Sequence, residues 1–245
     1  MSAIIKKDFK KFFTTPMYFF NMMVFPIMAI VGVVYGIIKF DLVKEYVSMF
    51  MPIINDYLGV SNIPFASVIF IIVFLLFSSV YSSAVSLSME GNKFWILKSL
   101  PISTKTIVYS KIITNMILQL VPGLLVSSFI LIVLEVKLTV WLMTIILVIL
   151  TSYATSTFGI IVNLYFPKFE FKNEVEVYKQ SIAMMIFMFG LMGLTVGFGL
   201  IGYFLITNIS NGLIIDLLFL ALMVVLSIIC YFFIENKSEK LFRKL

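Results

Sequence analysis

The stretch SMEGNKFWILKSLPISTK, from Ser88 to Lys105, decides how the whole chain must be read. Glu90, Lys93, Lys98 and Lys105 keep it out of a hydrocarbon layer, where each ionised side chain costs about 3 kcal/mol on insertion scales. Yet Phe94, Trp95, Ile96 and Leu97 stand in its middle, and long charge-free runs flank it on both sides. A segment that must meet water therefore carries a contiguous aromatic patch. Asn92 can cap a short helix there, and Pro101 sits just past its end. Phe94, Trp95, Ile96, Leu97 and Leu100 would wrap more than half of that helix. Contiguous exposed apolar surface marks an interaction site. The competing reading is a stub resting on the lipid interface, where tryptophan is common.

Outward from this loop, the composition agrees with a membrane setting. Of 245 residues, 62% are hydrophobic and only 12% charged, against about 45–50% and about 25% in soluble domains. Six stretches contain no Asp, Glu, Lys or Arg: 12–38, 57–89, 112–134, 138–167, 180–215 and 217–234. A helix crossing a core of about 30 Å needs about 20 apolar residues. Continuous apolar runs select helices over the alternating strands of a barrel. The expected spans are about 17–38, 63–87, 112–134, 139–162, 181–206 and 214–234. The fifth stretch is too long for one span, so a short outer segment around TNISNG is expected; the family resemblance given below implies a re-entrant piece there.

Basic residues orient these spans. With the N-terminus cytoplasmic, fifteen of the eighteen Lys and Arg residues fall in inner segments; only Lys39, Lys44 and Lys137 lie outside. Both termini are then cytoplasmic. The net charge of +6 is a topology signal, and no nucleic acid is expected as a partner. Residues 2–14 interleave Ile4, Ile5, Phe9, Phe12 and Phe13 with Lys6, Lys7, Lys10 and Lys11, a pattern for a helix lying in the inner interface. The N-terminus lacks a short apolar core followed by a small-residue cleavage site, so it is expected to be retained. The outer loop 39–62, with Asp41, Lys44, Glu45 and Asp56, is expected to rest on the outer surface. The fold class is thus an all-α integral membrane protein: six transmembrane helices, an N-terminal interfacial helix, and a short cytoplasmic helix after the second span. One domain covers 1–245.

Several chemistries are excluded by residue type. There is no histidine and a single cysteine, Cys230, so His/Cys metal sites and Ser-His-Asp or Cys-His catalysis have no material. GFGLIG at 197–202 spells a dinucleotide fingerprint, but inside an apolar span it lacks the preceding strand and following acidic residue. The chain contains no Walker loop, so neither an enzymatic role nor a cofactor is expected. GVVYG (Gly32, Gly36) and GLTVG (Gly193, Gly197) have the small-xxx-small spacing that lets membrane helices approach closely. Asn21, Asn115, Gln119 and Asn163 within spans read as interhelical hydrogen-bonding groups, and Asp216 falls at an outer edge. Ion-coupled carriers keep ionisable relays within the bundle; these spans have none, so the bundle is either passive or driven from outside.

Three motifs in order bear a resemblance. KKDFKKFFTTP precedes the first span, SMEGNKFWILKSLPISTKTIVYSK follows the second, and NLYFPKFEFKNEVEVYKQS (163–181) follows the fourth. Together with six spans and inner termini, they make the chain resemble, along its whole length, the permease subunits of ABC type-2 exporters. Many relatives have a basic residue before the glutamate, where this chain has Met89. The resemblance implies two six-helix subunits facing across a central path, with a second permease copy or a paralogue as partner. It implies that the loop 88–111 docks each on a separate ATP-binding subunit, which would hold ATP and Mg. Phe94, Trp95 and Leu97 would then sit in the ATPase, with Glu90, Lys93 and Lys98 at the rim. Pro167, Lys168 and Phe169 would form a second cytoplasmic contact.

The expected function is export of a hydrophobic or amphipathic substrate across the cytoplasmic membrane, with a toxin- or bacteriocin-like peptide as first candidate. A stand-alone membrane immunity or sensor protein, without an ATPase, shares the span count and stays open as the alternative.

Overall fold

The structure, a computed structural model, describes residues 1–58 and 63–245, with the side chains of 54–58 left aside. Residues 59–62 of the expected outer loop, and the side chain of Asp56, lie outside the described residues. All regular structure among the described residues is helical, and six helices are long and apolar enough to cross a membrane.

Helix α1 (Ser2–Thr14) turns Ile4 and Phe12 inward and leaves Lys6, Lys7 and Lys10 exposed. Thr15 is extended, and Pro16 opens α2 (Pro16–Ile38), since its fixed φ and missing N–H suit a first helical position. Lys39 breaks the run. Where a loop was expected there is a helix, α3 (Phe40–Leu58). Its Lys44 pairs with Glu135 in the turn that leads into the fourth span.

The second span is shorter than its apolar run. Helix α4 (Phe65–Ser78) stops, the chain bends through Ser79–Tyr81, and a single turn, α5 (Ser82–Val85), follows. A 3-10 segment (Ser88–Lys93) and the short helix α6 (Phe94–Ser99) complete the passage. Beyond it run α7 (Thr104–Val133) and α8 (Leu138–Tyr165). Next come α9 (Val175–Gln180), α10 (Ile182–Asn208) and α11 (Gly212–Lys244). Three of these helices have side-chain caps: Ser103 accepts from Thr106 N, Ser181 from Met184 N and Asn211 from Leu213 N. Each satisfies a backbone donor that the first turn leaves unpaired.

The fifth stretch corrects one expectation. It holds neither a separate outer segment nor a re-entrant piece: α10 runs unbroken to Asn208, and only Ile209–Asn211 separate it from α11. The polar residues assigned to an outer segment finish the helix instead. Thr207 Oγ1 and Asn208 Nδ2 both donate to the Phe204 carbonyl in the last turn. The thirty-six charge-free residues hold the whole of α10, one tight turn and the start of α11.

Helix α8 occupies the centre and packs against α4, α5, α7, α10 and α11, while α2 leans on α7 and α1 crosses both. At about 1.5 Å per residue, the 33 residues of α11 reach well past a hydrocarbon core. Its last turns project at the lysine-rich end, where α1, α6 and α9 also gather.

The glycine spacing bears only in part on packing. A Cβ at Gly36 would meet the Phe129 ring at 2.3 Å, so α2 and α7 do approach closely there. Gly32, Gly193 and Gly197 have nothing within 4 Å of such a Cβ. Within this chain they pack no helix, because they lie on the outward faces of α2 and α10.

Candidate functional site

The site grows from the break in the second span. When α4 ends at Ser78, carbonyls near the break lose their helical partners, and buried bare acceptors are costly. Gln119 of α7 supplies the donors: Nε2 gives to the carbonyls of Phe77 and Val80, both at 3.2 Å. Thr155 of α8 holds Gln119 in place by donating to Oε1 at 2.9 Å. One turn on, Ser82 Oγ donates to Asn115 Oδ1 at 2.7 Å, and Asn115 Nδ2 donates to Ser156 Oγ at 2.8 Å. Asn163 closes the series, accepting from Leu87 N at 2.8 Å and donating to Ser88 Oγ at 2.7 Å. Three fully buried amides thus hold an irregular segment against α7 and α8. The hydrogen-bonding role read for these residues is the one the structure displays, but toward backbone as well as other helices.

Gly91 then aims the chain. Its φ of +53° lies where a side chain is strained. A Cβ would also meet the Phe171 ring at 2.9 Å. After this turn α6 begins, and its two faces have different surroundings. Phe94 (6% exposed) and Leu97 (4%) point into the chain's own inner cluster with Ile4, Ile107 and Phe242. The Phe94 ring stacks on Phe169 at 4.5 Å and meets Phe242 at 5.1 Å. Trp95 (66% exposed), Ile96 and Leu100 face outward, with Lys93 and Lys98 beside them.

This division splits the expected docking set between two environments. Phe94 and Leu97 are buried inside the chain, where removing apolar area from water stabilises them. Glu90 is drawn inward as well. Its carboxylate is 10% exposed and takes Lys111 Nζ at 2.8 Å and Lys7 Nζ at 2.7 Å. Trp95, Lys93 and Lys98 remain on the open face.

The second expected contact, Pro167–Phe169, is built into the same unit. Lys168 N donates to Ser88 Oγ at 2.9 Å, Phe169 stacks on Phe94, and Lys168 Nζ lies 3.4 Å from Glu176. Pro167 and Lys168 are half-buried beside it.

An ion-pair hub ties α1 to this unit. Lys111, its side chain 1% exposed, lies 2.7 Å from Asp8 Oδ1 as well as 2.8 Å from Glu90 Oε1. Lys11 pairs with Glu174 at 3.3 Å and donates to the Met89 carbonyl. Burial pushes the Asp8 carboxyl above its usual range, and the adjacent Lys111 opposes that rise. A buried charge of this kind is tolerated only when paired. From the far side, Glu235 of α11 pairs with Lys105 and accepts from Tyr109 Oη at 2.8 Å.

Sequence reasoning counted Lys111 only as an inner positive charge, and missed Asp8, Glu174, Glu235 and Phe242 as partners of the loop. One signal was available: Lys111 stands directly before the charge-free run 112–134, where a lysine needs either water or a carboxylate.

A separate feature lies among the membrane helices. A cleft of about 860 Å³ opens between α2, α4 and α10, its walls including Phe25, Leu75, Met184, Met188 and Met192. Lys179 stands at its edge.

Compared with known families, residues 1–171 match the ABC-2 type transporter family. The match runs from α1 through the loop that carries Phe169 and Phe171. No curated protein and no solved structure matches the chain.

Proposed function

The chain belongs to the ABC-2 type transporter family, and on that premise we propose that it is the permease of an ATP-driven exporter, docked on a separate ATPase through the open face of α6. Families of this kind usually work with an ATPase partner, and this chain is a multi-pass membrane component of such a transporter. The observation that carries the reading is the division of α6. Trp95, Ile96 and Leu100 form an exposed apolar patch on a helix whose other face is fixed in the core by Phe94 and Leu97. A patch that is both exposed and rigidly backed suits a partner that pushes. A displacement there passes through the aromatic stack to α11 and through Glu90 to α1 and α7.

In this reading both termini and α6 are cytoplasmic, as the lysine distribution implies. ATP closes the paired ATPase subunits, two permease copies or paralogues rock between inward- and outward-open states, and cargo leaves the cytoplasm. Coupling requires the substrate to bind one state better than the other. The Met-lined cleft suits hydrophobic or amphipathic cargo.

The test is co-purification. An aromatic anchor at an interface centre costs about 2 kcal/mol or more when truncated, and rim charges cost little. Trp95→Ala should release or uncouple the ATPase while the permease still inserts and stays folded; Lys93→Ala should do far less. Full association and full substrate-stimulated hydrolysis in Trp95→Ala would reassign Trp95 to the lipid interface. Failure of any ATPase to associate with the parent would favour the stand-alone immunity or sensor reading.

A further inference from the structure

We propose that the cleft between α2, α4 and α10 binds an anionic amphiphile with a hydrophobic chain, its tail along the methionines and its carboxylate or phosphate at Lys179. This rests on the transporter reading and names the substrate class of its path. The cleft volume of about 860 Å³ falls within the range of about 300–1,000 Å³ found for ligand sites. Its lining is apolar apart from one end. Met184, Met185, Met188 and Met192 repeat along one side of α10, and unbranched thioether side chains reshape around a flexible guest.

Apart from Lys179, the side chains of the wall offer a ligand no free donor. Ser78 and Ser79 line the cleft, but their hydroxyls donate to the carbonyls of Phe74 at 3.0 Å and Leu76 at 2.8 Å. A peptide backbone laid here would lose water around its amides and gain no partners, at a cost of about 1–3 kcal/mol per group on mutational scales. A hydrocarbon chain loses nothing. That difference decides for a tail over a peptide.

Charge then decides the head. Lys179 is the one charged residue in the lining. The neighbouring Lys11 and Lys168 are paired with Glu174 and Glu176, whereas Lys179 joins no ion pair among the described residues. An apolar length ending in one open ammonium complements a carboxylate or phosphate and repels a cation. Entry is sideways: Phe25, Met188 and Met192 are exposed on the outer surface of the bundle, so a tail reaches the cleft from the bilayer.

The test uses the full chain in phosphatidylcholine nanodiscs and a palmitate carrying a diazirine in its tail. Irradiation should label α10 between Met184 and Met192, as read by mass spectrometry of the digest. Dodecyl phosphate should compete, which would extend the site to phosphate heads. Dodecyltrimethylammonium, with the same tail, should not. Lys179→Glu should weaken anionic competition by roughly fivefold and admit the ammonium compound. Met188→Trp, which fills the cleft, should abolish labelling whatever the head. Labelling spread evenly over the lipid-facing helices would overturn the proposal, as would equal competition by the two heads. A Met188→Cys, Cys230→Ala chain that cross-links to a second copy, with no labelling of the cleft, would assign this face to subunit pairing and also overturn it. Labelling needs no ATPase. An ATPase that associates without selective labelling sinks the ligand alone, whereas labelling with no ATPase ever associating leaves the ligand and sinks the ATP-driven reading.

Discussion

Helices α8 and α10 make an instructive pair. They have 28 and 27 residues and are equally apolar as membrane spans, yet 56% of the most apolar window of α8 is buried in the chain against 17% for α10. Hydropathy cannot tell them apart, because lipid tails and protein interior are alike to an apolar side chain. What separates them is polar content. Helix α8 carries Thr151, Ser152, Thr155, Ser156 and Asn163, all buried, several of them supporting the amides that hold the broken second span. Helix α10 carries open glycines and methionines on its outward side. A polar group in a membrane demands a partner, so it binds its helix to the centre. A glycine or methionine demands nothing, and leaves its face for lipid, ligand or a second subunit.

The strongest way to break this contrast is to unpair the inner end. Lys111→Ala leaves Asp8 and Glu90 buried without their shared counter-ion, which typically costs about 3–5 kcal/mol. Thermal unfolding in detergent should show a large loss of stability, and a small one would mean the hub is hydrated. Asn163→Leu comes next. It strips Leu87 N of its acceptor, for which about 1–3 kcal/mol is expected, and α6 should become accessible to protease before the spans unfold. A variant as resistant as the parent would show that the ladder does not position α6.

A smaller effect belongs to Gly91→Ala. With φ +53° and ψ −139° the backbone sits where side-chain-bearing residues are rarely found, at a cost of about 1–3 kcal/mol, and the new methyl must displace the Phe171 ring. Stability should fall modestly while ATPase stimulation falls further, because the aim of α6 changes. Equal losses in the two readouts would argue against a role in aiming. The smallest effect is expected on α10. Gly193→Leu should leave unfolding of the single chain within about 0.5 kcal/mol, as for substitutions that touch nothing. A loss well beyond that would show that another chain covers this face, and the dimer fraction by gel filtration would report it directly.

How far the sequence could be read differs between the same regions. Six spans were legible because a run of about 20 charge-free residues is required by bilayer thickness alone. The amphipathic α1 was legible from alternating rings and lysines. The loop after the second span was visible as an apolar patch, but not which of its residues lie inside and which outside. Phe94 and Trp95 are neighbours in a six-residue helix and look alike by type; only the arrival of Phe169 and Phe242 from two distant segments buries one and leaves the other outside. The same holds for Glu90 and Lys93, where a lysine twenty-one residues on draws one carboxylate inward.

Composition and the placement of charge by themselves determined that this chain is a bundle of membrane-spanning helices with a basic end. Both are local properties, set by the transfer free energy of each side chain. Tertiary structure alone decided where the second span breaks, which side of α6 is open, and that α10 rather than α8 faces outward. Those outcomes depend on partners met across the fold: an amide reaching a bare carbonyl, a carboxylate reaching a buried lysine, one ring stacking on another.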